Sequence, residues 1–378
     1  NRYICMTNKI TIVGVNFWPE DTAIGLYTYQ LANFYKEKGL EVNVITGFPY
    51  YPTWRINSEY KPKKTFYEES INGIKIYRYK QYVPKNPIFF KRILHLLDFT
   101  FGSFINLLKI KKTDVVLCVV PFIGCVFLGK FLAKLKGAKL WVHIQDFEFD
   151  AVTDSNLIDK KNNKKFIFKI LFFLESKLLN SADLLSTISS SMVKKLTGKT
   201  KIEIEKKLLP NWVDPNFILP KEHKKHSYLK SDKFKILYSG NIGEKQDWEF
   251  FMKFAKELEK EKDVQIIVVG NGSKRYWLEE KLLDLENIWF YNPVAYSELS
   301  DLLCSADLHI LFQKVNVIDT VMPSKILAMM ASEKPSLITG SLKSEVAKVL
   351  IESKGGKFFE TNNTQDVLRF VYELKSDK

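Results

Sequence analysis

Three segments of the chain combine glycine, lysine and hydroxyl or amide groups in ways that suit a phosphate. YSGNIGEKQ (238–246) follows an apolar run, turns at Gly240 and Gly243, and carries Asn241 and Lys245. VVGNGSKR (268–275) repeats the pattern with Gly270 and Asn271. Glycine lets backbone N–H groups approach an anion, and lysine adds a full positive charge. Neither segment is a P-loop, because no GxxxxGK[ST] occurs. DTVMPSK (319–325) sets Asp319, Ser324 and Lys325 around a proline suited to the first turn of a helix. A hydroxyl, helix-start amides and an ammonium together suit a pyrophosphate. A fourth segment, 16–25, has Asp21 or Thr22 as a helix cap and Gly25 where a ligand can approach closely. Each segment taken alone also reads as ordinary turn or cap chemistry.

A different chemistry is suggested by HIQDFEFD (143–150), where His143 or Asp146 could act as a general base or orient a hydroxyl. Asp146, Glu148 and Asp150 alternate, but a solvated acidic loop is commoner than a metal site, and no metal is expected. Cys5, Cys118, Cys125 and Cys304 show no CxxC spacing, which indicates reduced thiols and no zinc.

The elements that must hold these residues alternate in type. Apolar strand runs at 9–15, 41–46, 114–119, 139–144 and 183–187 are interleaved with helical stretches at about 26–38 and 123–136, and Gly39 ends the first helix. LLPNWVDPNFILP (208–220) carries three prolines and reads as a linker. The pattern then restarts, with strands at 234–239, 265–269, 288–291, 308–312 and 335–338. Such alternation predicts two doubly wound parallel sheets, an α/β fold with ligands at the carboxyl ends of the strands, facing a cleft.

A length of 378 residues fits two domains, and 46 % apolar with 26 % charged residues excludes wholesale disorder. The net charge of +14 is one-sided: residues 1–210 hold 33 Lys and Arg against 18 Asp and Glu, and the remainder is nearly neutral. An anionic partner for the first half follows, whether membrane, substrate or nucleic acid. Segments 88–112 and 160–179 mix Phe, Leu and Ile with a basic rim, as helices lying on an anionic membrane do. They also read as core helices with exposed lysines. The longest uncharged apolar run, 115–129, is too short to span a bilayer. No signal-peptide pattern opens the sequence, so a cytoplasmic protein is expected, peripheral on the inner face of the membrane.

Taken in order, FWPEDTAIGLYT (17–28), HIQDFEFDA (143–151), PNWVD (210–214), SGNIGEKQ (239–246), VVGNGSK (268–274), SADLHILFQK (305–314) and DTVMPSK (319–325) with ILAMMASEKP (326–335) resemble a family 4 glycosyltransferase of GT-B fold. Within that family the chain is similar to the colanic-acid-type branch of bacterial cell-surface polysaccharide transferases. The resemblance covers Lys9 to about Phe359. It implies a retaining, metal-independent transfer of a hexosyl or N-acetylhexosaminyl group from a UDP- or GDP-linked donor to a lipid-linked (polyprenyl diphosphate) acceptor. The products would be capsule, O-antigen or exopolysaccharide. It implies no cofactor beyond the donor; a nucleic-acid partner is disfavoured because no helix-turn-helix, zinc or RNP-type pattern occurs. Residues 1–208, joined by a returning helix at about 365–378, would bind acceptor and membrane; 209–364 would bind the donor.

In that resemblance Gly240, Asn241, Lys245, Ser324 and Lys325 hold the diphosphate, and Gly25 approaches it from the other domain. Gly270, Asn271 and Val294 line the nucleoside, and Asp146 faces the reacting centre. Many family members carry two glutamates eight positions apart where this chain has Thr320 and Ala328. The usual partner of the donor sugar is therefore replaced, with Asp319 and Gln313 as substitutes. Lys245, Lys325 and helix-start amides can stabilise a departing diphosphate without a metal. Two other readings remain: a non-catalytic nucleotide-sugar or lipid-binding partner of a transferase, supported by the missing glutamates, and a sugar-nucleotide epimerase on the same fold, disfavoured by the basic amphipathic segments.

Overall fold

The computed structural model describes residues 8–21, 23–147, 162–200, 203–214, 216–315, 324–360 and 363–377. The chain divides into two compact units, Asn1–Pro210 and Asn211–Lys378.

The first unit holds an eight-stranded sheet in the order β3-β4-β2-β1-β5-β6-β7-β8. Its strands are β1 (Lys9–Val13), β2 (Glu41–Gly47), β3 (Phe66–Ile71), β4 (Ile74–Tyr79), β5 (Val115–Val120), β6 (Lys139–Ile144), β7 (Leu184–Thr187) and β8 (Glu205–Leu208). Its helices are α1 (Ala23–Glu37), α2 (Phe89–Gly102), α3 (Phe104–Leu108), α4 (Ile123–Lys136), α5 (Asn162–Leu179) and α6 (Ser190–Lys199). The central strands are apolar on both faces, as covered parallel strands must be. Val13 is level with both Ile45 and Cys118, so the loops leaving β1, β2 and β5 emerge at one edge. At the far side β3 and β4 pair antiparallel, around a buried Arg78 held by Glu69 at 2.5 Å. The apolar segment 88–112 is not one helix: the chain breaks at Ser103, giving α2 and α3.

The second unit holds a six-stranded parallel sheet, β11-β10-β9-β12-β13-β14. The strands are β9 (Phe234–Ser239), β10 (Val264–Val269), β11 (Ile288–Tyr291), β12 (Leu308–Phe312), β13 (Ser336–Thr339) and β14 (Gly356–Phe359). Among the described residues the helices that cover it are α7 (Trp248–Leu258), α8 (Arg275–Lys281), α9 (Leu299–Cys304), α10 (Ser324–Ala331), α11 (Glu345–Ser353) and α12 (Thr364–Ser376). Val269 is level with Ser239 and Tyr291, so the glycine-rich turns after β9 and β10 leave side by side.

The terminal helix α12, expected to return onto the first domain, packs within the second unit. Val367, Leu368 and Val371 are buried in the core of the second unit, with Phe254 and Leu258 of α7. Lys375 closes the helix onto Glu261 at 2.8 Å and Asp263 at 2.7 Å. Cys118, Cys125 and Cys304 are buried and form no disulfide among the described residues, outside which Cys5 lies.

Candidate functional site

The turns after β9 and β10 pack against each other through their backbones. Gly240 N donates to Val269 O at 2.9 Å, Ile242 N to Asn271 O at 2.9 Å, and Lys274 N to Ile242 O at 3.0 Å. Glycine is a steric requirement here. A Cβ on Gly270 would stand 1.9 Å from Gly240 O, and one on Gly272 would stand 2.3 Å from Ile242 O. Gly240 itself has φ +142°, a conformation rarely adopted by other residues.

α10 brings Lys325 to this place. A Cβ on Gly240 would lie 3.5 Å from the Lys325 Nζ. That ammonium sits 4.8 Å from the centroid of the Tyr238 ring and donates to the Tyr238 hydroxyl at 3.3 Å. Burial pushes the Tyr238 hydroxyl far above its ordinary pKa. It therefore stays protonated, and donates to Asn241 O at 2.7 Å. Tyr238 thus ties the turn to the lysine.

The third strand exit joins from β12. Lys314 N donates to Lys245 O at 3.2 Å, and Asp247 N donates to Phe312 O at 2.9 Å. Gln246 and Gln313 form an isolated bridge, and both are buried. Asp247 caps α7 by accepting from Phe250 N at 3.0 Å. Asn241, Lys245 and Asn271 are exposed on the surface of these turns. The structure thus brings Gly240, Asn241, Lys245, Gly270, Asn271, Gln313 and Lys325 to the carboxyl ends of β9, β10 and β12. Val294 follows β11 and packs half-buried on the cluster that includes Val269 and Leu302. Ser324 starts α10, and Asp319 and Thr320 lie outside the described residues; Ala328 packs on the same cluster as Val294.

Two further residues shape the site. In the sequence Tyr238 reads only as part of a strand. Arg275 fixes the turn after β10, donating to Gly270 O and to Tyr291 O (2.6 Å) while pairing with Glu279 at 2.8 Å. Its position within VVGNGSKR was the available signal.

In the first unit, Gly25 lies on α1, where a Cβ would stand 2.7 Å from the Glu20 Cβ. Glu20 is buried and accepts from Asn16 Nδ2 (2.8 Å), Tyr50 N (2.8 Å) and Tyr51 N (2.9 Å). Burial outweighs these donors and pushes its carboxyl up to about 7. His143 is buried and neutral. Its ring meets Ser186 Oγ and the Gln145 amide, both at 2.9 Å, and burial lowers its pKa to about 4. It is a satisfied interior group, not a base poised at a surface. Asp146 is exposed just beyond β6 and accepts from Phe147 N at 2.8 Å. Glu148 and Asp150 lie outside the described residues. Among the described residues no cluster of His, Cys, Asp and Glu could hold a metal ion.

The outer helices of the first unit carry an apolar face. Along α2, Leu96 and Phe99 point inward, while Phe90, Leu94, Leu97 and Phe101 form an exposed stripe at helical spacing. Leu108 of α3 is 70 % exposed, and Phe127, Phe131 and Leu135 continue the face along α4. Phe104 joins the two, 5.8 Å from Phe127 and 5.2 Å from Phe131. α5 packs on α4 and adds exposed Phe173. Among the described residues no helix is long and apolar enough to cross a membrane.

Known proteins share this architecture. Sucrose-phosphate synthase from Thermosynechococcus elongatus aligns over 98 % of this chain and 90 % of its own, with TM-score 0.69 and 12 % identity. HepE (Alr3699) of Anabaena, solved with UDP and with UDP-glucose, gives TM-score 0.63 at 13 % identity over 98 % and 90 %. WaaG, a glycosyltransferase involved in lipopolysaccharide biosynthesis, gives TM-score 0.63 at 13 % identity over 97 % and 90 %. Two Rossmann-like parallel sheets and these likenesses define a GT-B fold. Residues 233–377 match the family described as Glycosyl transferases group 1. The colanic acid biosynthesis glycosyl transferase WcaI of Escherichia coli K12 is 34 % identical over 354 residues, covering 90 % of this chain and 85 % of that protein. The chain belongs to the group 1 glycosyltransferases, and is an enzyme of that class.

Proposed function

We propose that this enzyme moves a sugar, with retention, from a UDP- or GDP-linked donor to a lipid-linked glycan acceptor during the synthesis of a bacterial surface polysaccharide. The observation that carries the reading is the cradle after β9. Lys325 of α10 lies against Gly240, with Lys245 on the same turn. Two ammonium groups at a strand exit suit a diphosphate, and stabilise it further as charge develops on departure. The UDP complexes of HepE, and the parts of WcaI and WaaG in colanic acid and lipopolysaccharide biosynthesis, support a nucleotide-sugar donor and a surface-glycan product. In this reading Asp146 serves the reacting centre, and the donor alone suffices without a metal.

The exposed apolar face of α2, α3 and α4 supports a protein seated on the inner membrane surface. Lys91 and Arg92 of α2 and Lys130 and Lys134 of α4 lie on the same helices, the last three exposed. Basic and apolar side chains together favour an anionic bilayer. The test is transfer of label from UDP- and GDP-sugars into the organic-extractable lipids of a bacterial membrane preparation. Label in the lipid fraction, with release of one nucleoside diphosphate, is the expected result; release without labelled lipid overturns the lipid acceptor.

A further inference from the structure

The loop leaving β2, residues 48–57, is fastened from several directions by buried groups. Phe48 N donates to Gln81 Oε1 at 2.7 Å, and Gln81 Nε2 donates back to Phe48 O at 2.9 Å. Glu20 takes the N–H groups of Tyr50 and Tyr51, and Asn57 N donates to Pro49 O at 2.9 Å. Loops are ordinarily mobile, and one held by buried polar clamps is pre-organised.

What the loop presents is aromatic. Tyr51 is exposed. Trp54 has φ +52°, the left-handed region that costs a bulky residue about 1–2 kcal/mol. Backbone strain of this kind persists where the surroundings over-determine it. The Trp54 ring lies edge-to-face with Tyr50 (5.3 Å) and with His95 of α2 (5.7 Å). The exposed guanidinium of Arg92 rests 5.2 Å from the Trp54 centroid. His95 is fully buried. Its Nδ1 donates to Tyr82 O, and its Nε2 has no hydrogen-bond partner among the described residues. A buried acceptor left unmet costs about 1–3 kcal/mol.

We propose that this cluster recognises the acceptor: Tyr51 and Trp54 stack on its saccharide ring, Arg92 binds its phosphate, and His95 Nε2 takes a sugar hydroxyl as the Trp54 ring turns aside. The inference rests on the lipid-linked acceptor of the preceding reading. The apolar C–H face of a sugar ring suits the negative face of an indole. A guanidinium both stacks on aromatic rings and binds phosphate through paired N–H groups, so Arg92 can exchange one role for the other. The placement suits a lipid tail as well. α2 carries Arg92 and His95 on its first turns and exposes Phe90 and Leu94 beside them.

The experiment titrates extracted bacterial membrane lipid into the transfer assay, with wild type, Trp54→Ala, Trp54→Phe and Arg92→Gln compared. Trp54→Ala and Arg92→Gln are expected to need about tenfold more lipid for half-maximal transfer, with the saturated rate and the nucleotide-induced rise in melting temperature kept. Trp54→Phe is expected to recover most of the loss. Should Trp54→Ala fold poorly, Arg92→Gln, at an exposed position, decides. Unchanged half-saturation, or a loss confined to the saturated rate, overturns the proposal. Absence of transfer by the wild type with every donor overturns the lipid-acceptor reading and this inference with it.

Discussion

A methyl group added to Gly270 would stand 1.9 Å from the carbonyl oxygen of Gly240. The obstacle is backbone, and neither turn can shift without breaking the Gly240–Val269 and Ile242–Asn271 hydrogen bonds. Gly270→Ala is expected to cost about 2–3 kcal/mol, as overpacking does, and to lower the melting temperature by roughly 5–10 °C. Nucleoside diphosphate binding should fall with it, because the cradle widens. Calorimetric scanning with and without nucleotide checks both; wild-type melting and affinity would contradict the packing account.

The buried carboxyl of Glu20 makes a pH prediction. Its folded-state pKa is raised from 4.5 to about 7, chiefly by burial. The folded state therefore holds the proton more tightly than the unfolded chain. The stabilisation is fully present below pH 4.5 and is lost as pH rises through about 7, a change of roughly 3 kcal/mol. His143, buried neutral with a pKa near 4, acts in the opposite sense, so the comparison must be with a variant. Glu20→Gln is expected to flatten the fall in stability between pH 5 and 8, read as the denaturant midpoint at each pH. An equal fall in variant and wild type would show that Glu20 does not titrate in this range.

Most of the parallel strands were legible in the sequence because they are buried on both faces and read as apolar runs; the edge strands β8 (EKKL) and β14 (GKFF) were not among them. Nor was the edge pair β3 and β4 legible. FYEESI and IKIYRY alternate polar and apolar residues, and their stability depends on Arg78 meeting Glu69 across the hairpin. α12 was expected only from the family resemblance, and its residues did not show which surface receives Val367, Leu368 and Val371; that surface is α7. In the candidate site the glycines and lysines were legible because their types announce phosphate chemistry. Tyr238 was not, since its part depends on Lys325, which the fold alone brings near.

Asp146 is exposed at the exit of β6, where a carboxylate can meet a ligand. Asp146→Asn keeps the size and can still accept from Phe147 N. Transfer is expected to fall at least about 100-fold, the scale of a lost catalytic acid or base, while nucleotide affinity stays within about twofold. Kinetic assay beside calorimetry separates the two. Full activity would remove Asp146 from the reacting centre.

The apolar face of the first unit predicts membrane binding without loss of fold. Phe101 and Leu108 are 65 % and 70 % exposed. Changing both to Ser should leave the melting temperature within about 2 °C, since exposed sites away from the core change stability little. Partition onto vesicles of phosphatidylglycerol should weaken by about tenfold or more. Vesicles of phosphatidylcholine alone should bind both proteins poorly. Unchanged partition onto anionic vesicles would mean the face serves another purpose.

The central claim is that Lys325 and Lys245 hold the donor diphosphate. The direct measurement is titration calorimetry of UDP and GDP against wild type, Lys325→Ala and Lys245→Ala. One nucleotide should bind the wild type, and each substitution should weaken it by about 10- to 100-fold, the worth of a charge-assisted hydrogen bond. Wild-type affinity retained by both variants would contradict the assignment of the cradle after β9 as the donor site.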